Sequence, residues 1–259
     1  MKRILLAVAL VAPAFAVHAA EESVDLDMVS RIRDEGFNRS KVMDTAAHLT
    51  DRIGPRLTNS PQAREAVEWT RARLAEWGLA NAHVESWGPF GRGWSYEQAA
   101  VRIVGPVSAP LTAVPKAWTP GTQGAVRGPA QKVKIEKEAD LEPLAGKLAG
   151  RILLVSEPRE IKDFDKPLVD RYTPQELEAL ALYGPDTRRR EGPPDRESSL
   201  KRFRLQKRLR AFFKEEGVLA TLEASDRERG IVRVGGGGSR EAGEDPGVPA
   251  LVVAAEQYN

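Results

Sequence analysis

Histidine is the side chain in this 259-residue chain best suited to bind a metal or carry a proton, and it occurs only as His18, His48 and His83. Cysteine, the other strong zinc ligand, does not occur. A catalytic zinc ion needs several nitrogen, oxygen or sulfur ligands that converge within about 2.0–2.3 Å. His48 falls beside the apolar stripe of a predicted helix, and His83 alternates with Val84 on a predicted strand. No carboxylate cluster accompanies either one, so we expect no catalytic, cofactor-binding or metal-binding residue in this chain.

The first twenty residues have the pattern of an export signal. Lys2 and Arg3 precede an apolar run, residues 4–11, that is too short to span a bilayer. Small residues at positions 17 and 19 predict cleavage after Ala19. A membrane anchor is the alternative, but the run is short and a proline follows it closely. We therefore predict a bacterial periplasmic or secreted protein with no membrane attachment after cleavage.

The charge balance and the lack of cysteine argue against a nucleic-acid-binding or membrane-binding protein and against a disulfide-stabilised module. The chain has 39 Lys and Arg against 37 Asp and Glu, and loss of Lys2 and Arg3 leaves 37 of each. A neutral mature chain gives no general reason to expect a nucleic-acid or anionic-membrane partner. An exported chain without cysteine has no disulfide framework and must rely on a hydrophobic core.

A basic segment, residues 188–214, is the exception to this charge balance. If the protein bound nucleic acid, these side chains would contact phosphates and binding would depend steeply on salt. The commoner arrangement is the solvated face of an amphipathic helix, and we expect that here. Residues 235–238 are four consecutive glycines followed by Ser239 and Arg240. They lack the Gly-Lys-Ser/Thr ending of a phosphate-binding loop and predict a flexible loop instead.

Apolar spacing predicts helices between residues 24 and 79. The first contains Val29 and Ile32 and should end at Gly36, and the second should run from an N-cap at Ser40 to Gly54. The third has the clearest signals, because Ser60 can cap it, Pro61 suits its first turn and Gly78 can end it. Two later stretches, residues 174–183 and 199–216, also have helical spacing.

Short β-rich runs separated by glycine and proline occupy most of the remainder. The predicted strands are residues 82–87, 101–104, 111–114, 133–135, 152–155, 218–222, 231–234 and 248–253. The runs 152–155 and 251–253 are continuously apolar, which indicates burial on both faces of a sheet. Helices alternating with strands are typical of an α/β fold.

Several motifs together resemble a known family. They are Arg-Ile-Gly-Pro-Arg-Leu-Thr at 52–58, Glu-Trp-Thr at 68–70, Trp-Gly-Leu at 77–79, Gly-Pro-Phe-Gly-Arg-Gly-Trp at 88–94 and Ala-Trp-Thr-Pro-Gly-Thr at 117–122. This set resembles bacterial members of the di-zinc aminopeptidase family that includes plasma glutamate carboxypeptidase and aminopeptidase Y. Residues 148–155, 217–222 and 248–253 resemble the protease-associated domain often inserted into such enzymes.

The resemblance implies an α/β chain with a partial three-layer zinc-exopeptidase fold, interrupted by a β-rich protease-associated domain. The implied division is a signal peptide at 1–19, peptidase fold at 20–97, the inserted domain at 98–247 and a return to the peptidase fold at 248–259. The joints at 88–93 and 241–246 should be cut first by proteases.

No family catalytic residue can be assigned to this chain. In the family the metal ligands and the general base follow the insertion. The expected His-x-Asp, Asp-Asn-Gly and Glu-Glu elements do not occur here.

The resemblance therefore predicts the N-terminal portion of an exported zinc-dependent exopeptidase, with its active site outside this chain. Zinc and a peptide substrate are expected for the full-length protein, and no cofactor for this chain alone. The alternative is a non-enzymatic exported module that binds a peptide or protein through the protease-associated domain. Trp94 and Trp118 are expected to pack between elements, although they could instead form part of a substrate-facing wall.

Overall fold

The computed structural model describes residues 24–162, 167, 169–182 and 195–259. The predicted signal peptide with His18 and the arginines at 188–190 lie outside the described residues. The chain divides into two compact units, Met1–Arg52 and Ile53–Asn259. Among the described residues, no helix combines the length and the apolar character needed to cross a membrane.

The described elements include six α-helices and seven strands. The helices are α1 (Leu26–Asn38), α2 (Val42–Ala47), α3 (Pro61–Glu76), α4 (Pro174–Ala181), α5 (Arg196–Glu215) and α6 (Ala255–Tyr258). The strands are β1 (Val101–Val104), β2 (Ser108–Leu111), β3 (Ala113–Pro115), β4 (Ala130–Lys132), β5 (Ile152–Leu154), β6 (Ala220–Ala224) and β7 (Ala250–Val253). A π-helical turn, His48–Ile53, continues α2, and a 3₁₀ helix covers Glu138–Leu144.

The first unit consists of α1, α2 and most of the π-helical turn. Asp25 caps α1 by accepting a hydrogen bond from the Met28 backbone N–H at 2.9 Å. The predicted end at Gly36 is wrong, because α1 continues to Asn38, whose side-chain amide donates to Asp34 at 2.8 Å. One glycine in a helix costs only about 1 kcal/mol relative to alanine, which local contacts can offset. Neither α1 nor α2 contains a buried residue.

Helix α3, in the second unit, begins and ends where the sequence predicts. The buried Ser60 hydroxyl accepts a hydrogen bond from the Ala63 N–H at 3.1 Å, and Pro61 is the first helical residue. Gly78 lies just beyond the helix with a φ of +85°, a value that favours glycine. Only Ala66 is buried in this helix, while the side chains of Val67 and of Trp77, at its C-terminal end, stay about half exposed. The apolar face of α3 is therefore mostly uncovered by the described residues.

A mixed five-stranded sheet, in the order β3-β7-β6-β5-β4, organises the second unit. Strands β4 to β7 are parallel, and β3 lies antiparallel to β7. This is the mixed α/β class that the sequence predicts. Strands β1 and β2 form a separate antiparallel pair.

Strand β7, at the C-terminal end, joins a different sheet from the one that the sequence predicts. The sequence predicts that it leaves the inserted region and joins a peptidase sheet with residues 82–87. Instead it lies between β3 and β6, with Leu251 opposite Leu222, and residues 82–87 form no strand. The apolar pattern of 248–253 marks a central strand but carries no information about which sheet it joins. The domain boundaries themselves stay a prediction.

Helix α5 covers one face of the sheet and builds the core. The buried residues that pack together there are Val133, Leu141, Leu148, Leu153, Phe212, Phe213 and Val218. Along β5 the burial alternates, because Leu153 is almost completely buried and Ile152 and Leu154 are partly exposed. In β7 the two consecutive residues Val252 and Val253 are both almost completely buried. Burial on both faces of the sheet, which the sequence predicts for these runs, is therefore confirmed at Val252 and Val253 of β7, whereas in β5 only the face of Leu153 is fully buried.

Three further predicted strands differ from the structure, because an apolar residue can be buried without its backbone pairing with a neighbouring strand. The strand predicted at 133–135 lies earlier, at β4, and Val133 is the core residue that follows it. The run 111–114 divides at Thr112, whose N–H donates to the Gln257 side chain and whose carbonyl accepts from Ala254. Residues 231–234 form no strand, and the Ser225 hydroxyl contacts their backbone instead.

The core assignment predicts a difference between two identical substitutions. Leu153→Ala removes a fully buried side chain and should lower the free energy of unfolding by about 2–5 kcal/mol. Leu180→Ala on the exposed face of α4 should change it by less than about 0.5 kcal/mol. Urea unfolding of both variants measures the difference, and equal losses would contradict the core described here.

Candidate functional site

His83 is placed in a way that suits a cation better than a metal ligand. Its Nδ1 lies 2.7 Å from the Asn81 carbonyl oxygen and its Nε2 lies 2.6 Å from a Glu85 carboxylate oxygen. Both neighbours are acceptors, so both ring nitrogens are used as donors when the imidazole is protonated. The hydrogen bond to Asn81, and then that to Glu85, raise the pKa of His83 above its ordinary value. A zinc ligand needs a free nitrogen lone pair, which this arrangement does not favour.

His48 begins the π-helical turn in the first unit and is half-buried. Within the described ranges, no group of three or more His, Cys, Asp or Glu side chains is arranged to hold a metal ion.

The motif segments themselves converge into one cluster, which we call the motif junction: residues 59–60, 90–94, 117–119 and 235–244. The Trp118 indole N–H donates to the Arg92 carbonyl oxygen at 2.9 Å, and the Trp94 indole N–H donates to the Thr119 carbonyl oxygen at 3.1 Å. The two tryptophans thus connect the 88–94 and 117–122 motifs by hydrogen bonds. Packing and hydrogen bonding, which the sequence favours for them, account for these contacts.

Arg92 holds the loop that follows the glycine run. Its Nη2 lies 2.7–3.0 Å from the carbonyl oxygens of Ser239, Glu241 and Glu244. The Arg92 backbone N–H also donates to the Arg240 carbonyl at 2.7 Å. A guanidinium group is planar and has five N–H donors in a fixed geometry, so it can donate hydrogen bonds to several carbonyl oxygens at once. Residues 239–244, which we call the fastened loop, are therefore held in place, an arrangement that does not favour an easily cleaved joint at 241–246.

Glycines are required where the backbones in the motif junction touch. A Cβ at Gly238 would overlap the Trp118 carbonyl oxygen, and one at Gly93 would overlap the Asn59 carbonyl oxygen. The Gly237 N–H donates to the Ala117 carbonyl at 2.9 Å. The glycine run, expected to be a flexible loop, is thus partly hydrogen-bonded against the 117–119 segment. Its glycines permit close approach rather than phosphate binding.

The motif junction also reaches α3. The Asn59 side-chain amide donates to the Gly91 carbonyl at 2.9 Å, and Arg64 donates to the Asn59 side-chain oxygen at 3.0 Å. Asn59 has a φ of +62°, which asparagine tolerates better than most residues. The start of α3 is therefore held by the 88–94 motif, although the apolar face of the helix remains exposed.

A cavity of about 610 Å³ lies on the sheet face opposite α5. Its floor comprises Ile152, Ala220, Leu222, Ala250 and Leu251. The walls include residues 94–102, 119–122, 125 and 126. Volumes of this order, with an apolar floor, are typical of sites that bind small molecules or side chains. Trp94 lines this cavity, as the alternative of a ligand-facing tryptophan requires, whereas Trp118 is not among the lining residues.

Acidic side chains in and next to the fastened loop neutralise part of α5. Lys207 Nζ lies 2.7 Å from a Glu244 carboxylate oxygen, and Lys214 Nζ lies 2.5 Å from an Asp245 oxygen. The hydrogen bonds from Lys207 and then Ser239 lower the pKa of Glu244, and those from Lys214 and the Gly247 N–H lower the pKa of Asp245. The C-terminal half of the basic helix thus carries charges that are paired with carboxylates.

No family profile matches the sequence, and no curated protein matches it. Solved structures do align: a peptidase M28 precursor from Shewanella amazonensis at 21% identity, covering 89% of this chain and 45% of that one, has a TM-score of 0.41.

Two further alignments are with a zinc aminopeptidase from Bacillus subtilis and an aminopeptidase from an Aneurinibacillus strain. The first has 11% identity, coverage of 83% and 39%, and a TM-score of 0.43. The second has 14% identity, coverage of 86% and 41%, and a TM-score of 0.37. The chain spans less than half of each of these proteins. At these TM-scores the likeness is loose.

Two glycine substitutions test the motif junction. Gly238→Ala should destabilise the chain by about 1–3 kcal/mol, because its Cβ would displace Trp118 and the fastened loop. Gly243→Ala is the control, since a Cβ there would meet no atom within 4 Å, and it should change the free energy of unfolding by less than about 0.5 kcal/mol. Thermal or urea unfolding of both variants measures the difference. Equal stability of the two variants would contradict the close contact at Gly238.

The acidic partners of α5 predict a dependence of stability on pH. The folded-state pKa values of Glu244 and Asp245 lie below their ordinary values of 4.5 and 3.8. Their contribution to stability is therefore present above those ordinary values and is lost as the pH falls through the lowered values. The urea midpoint should fall between about pH 6 and about pH 3 by more in the wild type than in a Lys207→Met, Lys214→Met variant. Identical pH profiles would show that these pairs do not stabilise the fold.

Proposed function

We propose that this chain is the N-terminal portion of an exported zinc-dependent exopeptidase, which hydrolyses terminal peptide bonds with metal-activated water. The observation that carries the proposal is that α3 is fixed at its start while its apolar face is largely exposed. Its start is held by the motif residues Asn59 and Gly91, yet Val67 and Trp77 stay about half exposed. A helix fixed at one end with an uncovered apolar face is expected to pack on a further part of a larger fold.

The motifs have a structural task in this proposal. They join α3 to the sheet through Arg92, Trp94 and Trp118, all of which form side-chain hydrogen bonds to backbone oxygens. The protease-associated region at 98–247 would limit access to the active site or shape its specificity. The active site would be built from residues outside this chain.

Zinc belongs to the full-length protein in this proposal. The two described histidines do not supply a site, because His83 is held by two acceptors and the described part of the chain has no suitable ligand cluster around either histidine. No catalytic step is therefore assigned to a residue of this chain. Export to the periplasm or beyond follows from the predicted signal, and the expected partner of the full-length enzyme is a peptide substrate rather than nucleic acid or membrane.

A non-enzymatic peptide-binding module is the second candidate, and the cavity beside Trp94 favours it. The floor is apolar, and residues 95–100 in the wall form no backbone hydrogen bonds within the described part of the chain. An extended peptide could add its main chain to such a segment and place an apolar side chain on the floor. This candidate needs no metal.

Metal analysis tests the first candidate. The isolated chain, dialysed after exposure to zinc, should retain no stoichiometric zinc and should not hydrolyse aminoacyl p-nitroanilides, because the ligand set is missing. One or two tightly held zinc ions per chain would contradict the proposal. His83→Ala and His48→Ala variants would then identify which histidine contributes.

Nuclear magnetic resonance with a capped tripeptide carrying a central leucine tests the second candidate. Binding should shift the amide signals of residues 95–100 and of β7, and Ala220→Trp, which fills the cavity, should abolish the shifts. Unchanged signals in the wild type would remove the binding-module candidate and leave the exopeptidase proposal untouched.

A further inference from the structure

One stripe of α5 runs along the helix with alternating spacings of four and three residues. Its members are Arg196, Leu200, Phe203, Lys207, Arg210 and Lys214. Residues at such spacings lie on one face of a helix. The core residues of the same helix, Phe212 and Phe213, belong to another side, so the stripe does not face the core.

The C-terminal half of this stripe already has an occupant. Lys207 and Arg210 contact the two carboxylate oxygens of Glu244 at 2.7 and 3.5 Å, and Lys214 contacts Asp245 at 2.5 Å. Arg92 fixes the backbone of this acidic segment through the Glu244 carbonyl oxygen. The fold thus shows which chemistry binds the stripe, namely an irregular segment that carries carboxylates.

The N-terminal half of the stripe has the same spacing, and no described residue pairs with it in this way. Leu200 and Phe203 are exposed by 46% and 58% of their surfaces. Within residues 24–162, 167, 169–182 and 195–259, Arg196 and its neighbour Arg204 have no carboxylate partner. Residues 196–204 are all exposed.

We propose that this open half of the stripe, formed by Arg196, Leu200 and Phe203, binds together with the neighbouring Arg204 an extended acidic peptide that also carries an apolar side chain. Arg196 and Arg204 bind its carboxylates, while Leu200 and Phe203 receive the apolar side chain. The span from residue 196 to 204 is about 12 Å along the helix, which matches about four residues of extended peptide. This surface is independent of the proposed exopeptidase activity.

The combination of groups selects a peptide over other anionic partners. Nucleic acid would place phosphates on the arginines but would leave Leu200 and Phe203 exposed to water. A lipid surface favours a long apolar face, whereas the apolar part of this stripe consists of two side chains. The adjoining half of the stripe binds carboxylates of a peptide segment, so the same chemistry extends along the helix.

Fluorescence anisotropy of the full chain with a labelled peptide tests the proposal. The probe is Glu-Phe-Glu-Leu-Glu-Asp-Gly, and its control is the same peptide with amides in place of all side-chain carboxylates. The acidic peptide should bind, its affinity should fall as sodium chloride is raised from about 0.05 M to about 0.3 M, and the amide peptide should bind at least about fivefold more weakly.

Two arginine substitutions provide a matched comparison on the same helix. Arg196→Glu should weaken binding of the acidic peptide at least about fivefold, whereas Arg202→Glu, about 120° around the helix, should change it by less than about twofold. Phe203→Ser should also weaken binding, with the helix content by circular dichroism unchanged. No binding by the wild type, equal effects of the two arginine variants, or binding of phosphatidylglycerol vesicles or single-stranded DNA in place of the peptide would overturn the proposal.

Discussion

The hydrogen bonds of Arg92 and Trp118 are the constraint on which the second unit depends. Those from the Arg92 side chain to Ser239 and Glu244 join segments that lie 147 and 152 positions apart in the sequence. The Arg92 guanidinium and the Trp118 indole donate hydrogen bonds to backbone carbonyl oxygens in irregular segments. Such segments have no helix or sheet in which these oxygens could be paired. The cost of leaving such a group buried and unpaired is about 1–3 kcal/mol, which favours one fixed arrangement. Glycines at 93 and 238 let the backbones come close enough for these bonds to form.

This constraint explains why family-like motifs are found in a chain with no metal cluster among its described residues. Arg92, Trp94 and Trp118 act on backbone oxygens, so their task is to position α3 and the fastened loop relative to the sheet within the second unit. Motifs of this kind report how a fold is joined together. The exopeptidase proposal accordingly places the reaction outside these motifs.

Local signals predict local structure well in this chain, and contacts between distant segments much less so. The cap at Ser60 and the proline after it locate the start of α3, and helices α4 and α5 begin within three residues of their predicted starts. The alternation of residues 82–87 is misleading, because it indicates a half-exposed strand only if a neighbouring strand exists. No strand among the described residues pairs with them. Consecutive glycines are a signal of close backbone approach, yet spacing does not reveal that Ala117 and Trp118 lie against them. The charge pattern likewise predicts a basic helix but not which half of it is neutralised, since Lys207 and Lys214 pair with residues more than thirty positions away.

Hydrogen exchange of the chain as a monomer tests the central claim, that α3 is held at its start but lacks cover along its apolar face. Amides of β5, β6 and β7 should exchange slowly, because these strands pair on both sides and include core residues. Amides in the C-terminal half of α3 should exchange much faster. Strong and uniform protection across residues 40–80 in a monomeric sample would contradict the account, because the helical region would then be complete without a further partner.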